Sequence, residues 1–258
     1  MAAATIITGS SPNAAELDPF DDIDRVGAYE VWTGADVAGR TWLAYSGMTY
    51  APFGDTHADG LRLRATSGFG RYRYDYDHAT KVKVEKAAAD FSVGYQAEFD
   101  NATIKAFAGW AVLARDFTVT GGIDGRFSKL HHGFKLTTEI WLDWSEVTWA
   151  SLDAAYTDTR ETVDARLRFG QRIETEVSLG LEAILNRTDL AGEVVELPGQ
   201  QNYGNARIGV FVRYDWFGGE ISASGGFSAD VVRNRSKGVG VSSDASSPYG
   251  AMTVLLQF

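Results

Sequence analysis

Alternation of apolar and polar residues with a period of two, sustained over ten residues and more, constrains this chain more than any other feature. Val177, Leu179, Leu181, Ala183 and Leu185 alternate with Glu176, Ser178, Gly180, Glu182 and Ile184. The same pattern runs through Ile208 to Trp216, Ile221 to Val231, Phe134 to Trp144 and Phe91 to Phe99. Successive side chains of a strand point to opposite faces, so each stretch reads as a strand with one apolar and one polar face. No stretch after residue 27 carries a helical period. The pattern predicts about twelve strands, near 27–37, 41–51, 60–76, 81–99, 102–118, 130–145, 147–158, 161–173, 174–188, 203–217, 219–233 and 248–258.

Short turns at Asp100-Asn101, Ser145-Glu146, Arg172-Ile173 and Phe217-Gly218-Gly219 alternate with longer connections at 120–129, 189–202 and 233–247. The connection Pro52–Asp59 is the exception, longer than its side of the pattern predicts. Ahead of the strands, residues 1–24 hold Pro12, Pro19 and the acids Glu16, Asp18, Asp21, Asp22 and Asp24. They lack the basic segment and apolar run of a signal peptide, and read as a flexible leader from which such a peptide has already been removed. Residues 25–258 form the second unit, a single all-β domain.

Alternation also fits a soluble sandwich or a lipocalin-like barrel, with the apolar face inside. Four observations favour the inverse arrangement, an antiparallel up-and-down transmembrane β-barrel. The strands commonly reach ten residues, whereas soluble strands cluster near ~5–6 and tilted membrane strands need ~9–11. The polar faces carry charge at mid-strand: Glu98, Lys105, Lys135, Glu139, Arg166, Arg168, Glu182, Arg207 and Arg213. Large aromatics such as Phe99, Trp144, Tyr214 and Trp216 sit toward the ends of apolar faces, as interfacial girdles do. The chain closes on an amphipathic strand, Met252-Thr253-Val254-Leu255-Leu256-Gln257-Phe258, whose terminal Phe258 resembles the signal read by the outer-membrane assembly machinery. An even strand count expects both termini on the periplasmic side and the long loops outside. Lipid bilayer, lipopolysaccharide and the assembly machinery are the partners such a barrel implies. A net charge of −10 argues against nucleic acid. The absence of cysteine removes disulfides, thiolate metal sites and cysteine nucleophiles.

The interior charges, with Arg62 and Arg64, have two readings: a ladder drawing anionic solutes through a narrow channel, or a network with Glu30, Glu98 and Glu182 that fills the lumen. Trp32, Trp42, Trp141, Tyr72 and Tyr74 on polar faces either stack on sugar rings or fill a tapering barrel end. Enzymatic readings are weaker. The four histidines, His57, His78, His131 and His132, read as loop or strand-end residues, and none is expected mid-strand on an apolar face. His78 with Asp75 and Asp77 imitates a proteolytic site but reads as an acidic loop, and Glu139 with Asp143 reads as lumen charge. No catalytic residue, cofactor or metal site is expected.

Two segments carry a family likeness. Tyr29-Glu30-Val31-Trp32-Thr33-Gly34-Ala35-Asp36 is followed by Trp42-Leu43-Ala44-Tyr45-Ser46-Gly47. Asp59-Gly60-Leu61-Arg62-Leu63-Arg64 runs into Gly68-Phe69-Gly70-Arg71-Tyr72-Arg73-Tyr74. Together they resemble the bacterial cellulose-biosynthesis BcsS family of outer-membrane proteins, over about the first hundred residues. The resemblance implies an accessory role in the synthesis, export or surface display of cellulose or another exopolysaccharide, with the export machinery as a partner. It brings no catalytic residues.

Overall fold

The structure, a computed structural model, describes residues 27–75, 80–121, 125–159, 161–189, 201–234 and 245–258. Twelve strands follow one another: β1 (Tyr29–Ala38), β2 (Thr41–Tyr50), β3 (Gly60–Asp75), β4 (Lys81–Phe99), β5 (Ala102–Thr120) and β6 (Gly125–Asp143). They continue with β7 (Thr148–Thr157), β8 (Thr162–Arg172), β9 (Val177–Asp189), β10 (Gln201–Trp216), β11 (Gly219–Asn234) and β12 (Ala245–Gln257). Each pairs antiparallel with its chain neighbours, and β1 pairs with β12, closing an up-and-down barrel. The expected leader at 1–24, the Asp77 and His78 cluster, and most of the connections near 189–202 and 233–247 lie outside the described residues.

The barrel is inside out. Val93, Leu136, Leu167, Leu181, Ile208 and Val210 point outward and are exposed, while Glu30, Arg64, Lys105, Glu139, Arg166 and Glu182 point inward and are buried. In water such a continuous apolar surface would far exceed the few hundred Å² a soluble monomer tolerates. In lipid it is the required surface, and strand closure satisfies every ladder hydrogen bond. On β9 the apolar run Val177–Leu185 covers nine residues, about 27 Å along the strand, which a tilt of ~40° reduces to about 20 Å. That is close to the ~25 Å apolar band of a transmembrane barrel.

Strand lengths are unequal. The strands β1, β2 and β7 have 10 residues each, whereas β4, β5 and β6 have 19. The long hairpins rise past the apolar band at the end opposite the chain termini, where their outward residues become polar. This corrects the expected start of β6, which begins at Gly125 and not near 130. Its first outward residues, Arg126 and Ser128, stand above the band, so the apolar signal begins only at Leu130.

Candidate functional site

Barrels of about eight strands are filled by ordinary side chains, and those of ~16–18 hold water. A twelve-strand interior closes only if long side chains reach across it. Here the buried inward side chains include arginine, lysine and tryptophan, among the longest available.

At the end carrying the termini, the connection between β2 and β3 folds inward against β1, β3 and β4. Thr56 donates its backbone N–H to the Gly27 carbonyl at 2.9 Å, and Gln96 Nε2 donates to the Thr56 carbonyl at 2.9 Å. Arg62 donates to the Ala58 carbonyl and, at 3.2 Å, to Gln96 Oε1. Ala51 and Thr56 are buried. The connection is longer than the alternation of turns predicts because it packs on the inner ends of β1, β3 and β4, whose groups satisfy its backbone.

Above it, Lys105 on β5 donates to Glu30 on β1, at 3.0 and 3.3 Å to the two carboxylate oxygens. Three strands lie between the two around the ring, so the bond crosses the interior. Arg64 on β3 grips Glu139 on β6 through both terminal nitrogens and donates Nε to Thr49 at 3.1 Å. Its guanidinium carbon lies 3.8 Å from the Phe107 ring centre and 5.1 Å from that of Trp32. Beside these pairs a cavity of about 10 Å³, lined by Thr103, Lys105, Glu139, Trp141, Ser151 and Asp153, has room for about one water.

On the facing wall Trp141 stacks on Trp149 at 4.3 Å, and Trp149 meets Phe211 at 5.4 Å. Arg213, on β10, lies 4.9 Å from the Trp141 ring and is held by Asp215 at 2.5 Å and Glu220 at 2.8 Å. Glu182 receives Arg166 at 2.7 Å, Arg168 at 2.9 Å and the Tyr249 hydroxyl at 3.1 Å. Lys135 donates to Asp90 at 2.6 Å, and Arg207 on β10 bonds Asp36 on β1. Taking an ion out of water costs several kcal/mol, which these pairs offset through charge-assisted bonds.

The structure therefore brings eight of the charges singled out in the sequence, Lys105, Lys135, Glu139, Arg166, Arg168, Glu182, Arg207 and Arg213, into buried inward positions. Glu98 sits apart, half-buried near the β2–β3 connection, accepting from Gln96 and Thr103 at 2.6 Å each. Sequence reasoning missed Asp36, Asp90, Asp153, Glu220 and Tyr249. Each shares a face with inward residues of its own strand, so parity alone would have found them.

Two expectations are corrected. The sequence pattern puts Trp42 on a polar face, but it points outward and meets Phe69 edge-on at 5.6 Å. On β2 the inward set is Leu43, Tyr45, Gly47 and Thr49, and the apolar Leu43 obscures the parity. His131 and His132 lie within β6, not at a strand end. His132 points outward at mid-strand and stacks on Trp110 at 5.8 Å, contrary to the expectation that no histidine occupies an apolar face. Trp32, Trp141 and Tyr72 point inward and are buried.

Inverted burial and closure define a transmembrane β-barrel of the outer-membrane type. The translocator domain of autotransporter NalP from Neisseria meningitidis shares the fold, with 13% identity and a TM-score of 0.51 over 92% of this chain and 90% of that one. The transport unit of autotransporter AIDA-I from Escherichia coli does so with 12% identity and a TM-score of 0.53 over 96% and 95%. No curated protein matches the chain. Residues 30–258 match the family described as cellulose biosynthesis protein BcsS, and the chain belongs to that family. The match reaches well beyond the first hundred residues that carry the resemblance in the sequence.

Proposed function

We propose that this protein is a closed, non-catalytic barrel of the bacterial outer membrane that serves cellulose production as an accessory to the synthesis and export machinery. In this reading its termini and β2–β3 connection face the periplasm, its long hairpins and loops face outward, and the assembly machinery reads Phe258 during insertion. The family supplies the link to cellulose. The observation that carries the closed reading, as against a channel, is the set of bonds that cross the lumen: Lys105 to Glu30, Arg64 to Glu139 and Arg207 to Asp36. A passing glucan would have to part these buried, hydrogen-bonded pairs together. A closed barrel leaves its rims and loops as the surfaces that meet partners.

Planar-bilayer recording tests the closed lumen: folded protein that inserts yet stays silent supports it, and reproducible unitary conductance overturns it. A deletion strain tests the link to cellulose. Surface cellulose should fall and return with the wild-type gene. It should also return with a lumen variant in which Glu30→Gln and Lys105→Met remove one of the crossing pairs together, since no solute path is involved.

A further inference from the structure

On the outer face of β3, β4, β5 and β6, strand register lines the side chains up in successive rows. Phe69, Ala87, Ala114 and Leu130 form the last apolar row on β3 to β6. Two residues further along each strand come Arg71, Glu85, Asp116 and Ser128, and then Arg73, Lys83, Thr118 and Arg126. The basic row thus stands four residues above the apolar limit. At ~3.3 Å per residue and a tilt of ~40° that is about 10 Å, the depth of a lipid headgroup layer.

Two cavities open on this same strip. The lower, about 270 Å³, has an apolar side formed by Trp42, Phe69, Ala87 and Ala114, where alanines leave a furrow beside two exposed aromatic rings, and a polar upper rim that includes Glu85, Lys86 and Asp116. The upper, about 410 Å³, is lined by Arg40, Arg73, Lys81 and Lys83, together with Val82, Thr118 and Thr120, with no carboxylate among the described residues that line it. A hydrogen bond of 3.1 Å from the Arg73 amide to the Arg40 carbonyl ties the β1–β2 turn to this strip. The carboxylates at the junction are engaged: Glu85 by Arg71 at 3.0 Å and Lys83 at 2.9 Å, and Asp116 by the Ser128 hydroxyl at 2.6 Å.

We propose that this strip is a binding site for one phosphorylated, multiply acylated glycolipid of the outer leaflet, with an acyl chain in the alanine furrow and phosphate groups among Arg40, Arg73, Lys81 and Lys83. The two cavities select the occupant. A free anion or an acidic polysaccharide uses the basic cavity and gains nothing from a lipid-facing furrow below it. A neutral lipid fills the furrow and gains nothing from four cations. Only an anionic amphiphile standing at the membrane surface uses both. The assignment to the outer leaflet rests on the orientation given under Proposed function; binding itself does not depend on any role in cellulose production.

The test uses the full-length barrel, purified in a non-ionic detergent and scored by native mass spectrometry against four probes. These are diphosphorylated lipid A, the same lipid dephosphorylated, phosphatidylglycerol and pyrophosphate. The site predicts retention in the order diphosphorylated lipid A first, with pyrophosphate weakest. The variant carrying Arg73→Ser, Lys81→Ser and Lys83→Ser should lose about a hundredfold in affinity for diphosphorylated lipid A, as three surface cations acting on an anionic lipid imply. Ala87→Trp keeps every charge and should also weaken lipid A by filling the furrow, without changing pyrophosphate. Migration of unboiled samples on a detergent gel checks that both variants are folded. Wild-type affinity in the serine variant overturns the site. Equal retention of lipid A and pyrophosphate reduces it to an anion patch and overturns it as well. A preference for phosphatidylglycerol overturns the outer-leaflet assignment, and with it the orientation, while leaving the cellulose link to its own genetic test.

Discussion

Lys105 and Glu30 are at once the most exposed to failure and the most informative residues of the interior. Both are almost fully buried, and Glu30 also accepts from Gln257 at 3.2 Å. Replacing Lys105 by methionine leaves a carboxylate with no cation at bonding distance among the described residues, so the loss should be about 3–5 kcal/mol. Adding Glu30→Gln to Lys105→Met removes the charge but keeps a group that Gln257 can bond, so most of the loss should return. Urea unfolding of the single and double variants in detergent checks this, and a double variant no more stable than the single one would sink the argument. How legible such pairs are depends on distance around the ring. That Lys105 and Glu139 face inward follows from the parity of β5 and β6. That Lys105 meets Glu30, and Arg64 meets Glu139, follows only from closure, because strands three or four places apart have no register with one another. The sequence contains the charges, and the cylinder chooses the partners.

At the scale of the strand, glycine and aromatic residues form a single device. Across directly paired strands Trp32 faces Gly47, Tyr45 faces Gly34, Phe107 faces Gly94, Trp149 faces Gly170 and Phe211 faces Gly180. All ten residues are on the inner face, and in each pair the ring lies over the glycine: a Cβ at Gly180 would come within 2.7 Å of the Phe211 ring, and one at Gly47 or Gly170 would overlap the facing indole. The rings therefore lie flat along the wall and leave the axis to arginine and lysine. This accounts for part of the high glycine content, 28 of 258 residues. Gly170→Ala should tilt Trp149 away from Trp141 and Phe211, costing about 1–3 kcal/mol and altering the near-ultraviolet circular dichroism. Gly225→Ala, at an outward glycine where a Cβ meets its nearest neighbour at 3.5 Å, should change stability by no more than about 0.5 kcal/mol. Equal costs at the two positions would remove the distinction. The strands themselves were nearly all legible from their two-residue period, and the exceptions share one cause. Where a hairpin leaves the lipid, as at Gly125 to Lys129, its outer face no longer needs to be apolar. Where the inner face carries an apolar residue, as at Leu43, the parity used to place Trp42 fails.

For the whole molecule, the decisive step is the seam, because it joins the two ends of the chain. The first strand meets the last from Glu30 opposite Gln257 to Ala38 opposite Tyr249. At its terminal end Tyr29 and Phe258 exchange backbone hydrogen bonds of 2.9 and 3.0 Å, and their rings stack at 5.9 Å within a group that includes Tyr50, 4.9 Å from Tyr29. Contacts so remote in sequence form last, since the entropy of closing the loop is spent before they are made. An incomplete barrel in the meantime presents two strand edges that lipid cannot satisfy. Phe258 is 64% exposed, so its ring contributes little to the finished structure, about 0.5–1.5 kcal/mol for the aromatic contact. If its role were only that contact, Phe258→Ala would lower stability by this amount and leave the quantity of inserted protein nearly unchanged. A residue read by the assembly machinery behaves differently. Phe258→Ala should reduce folded protein in the outer membrane several-fold, while the same variant refolded in detergent unfolds in urea within about 1.5 kcal/mol of the wild type. Tyr50→Ala removes a ring from the same cluster without touching the terminus and should leave insertion near normal. Normal insertion of the Phe258 variant, or equal loss in the Tyr50 variant, would assign the terminal ring to packing alone.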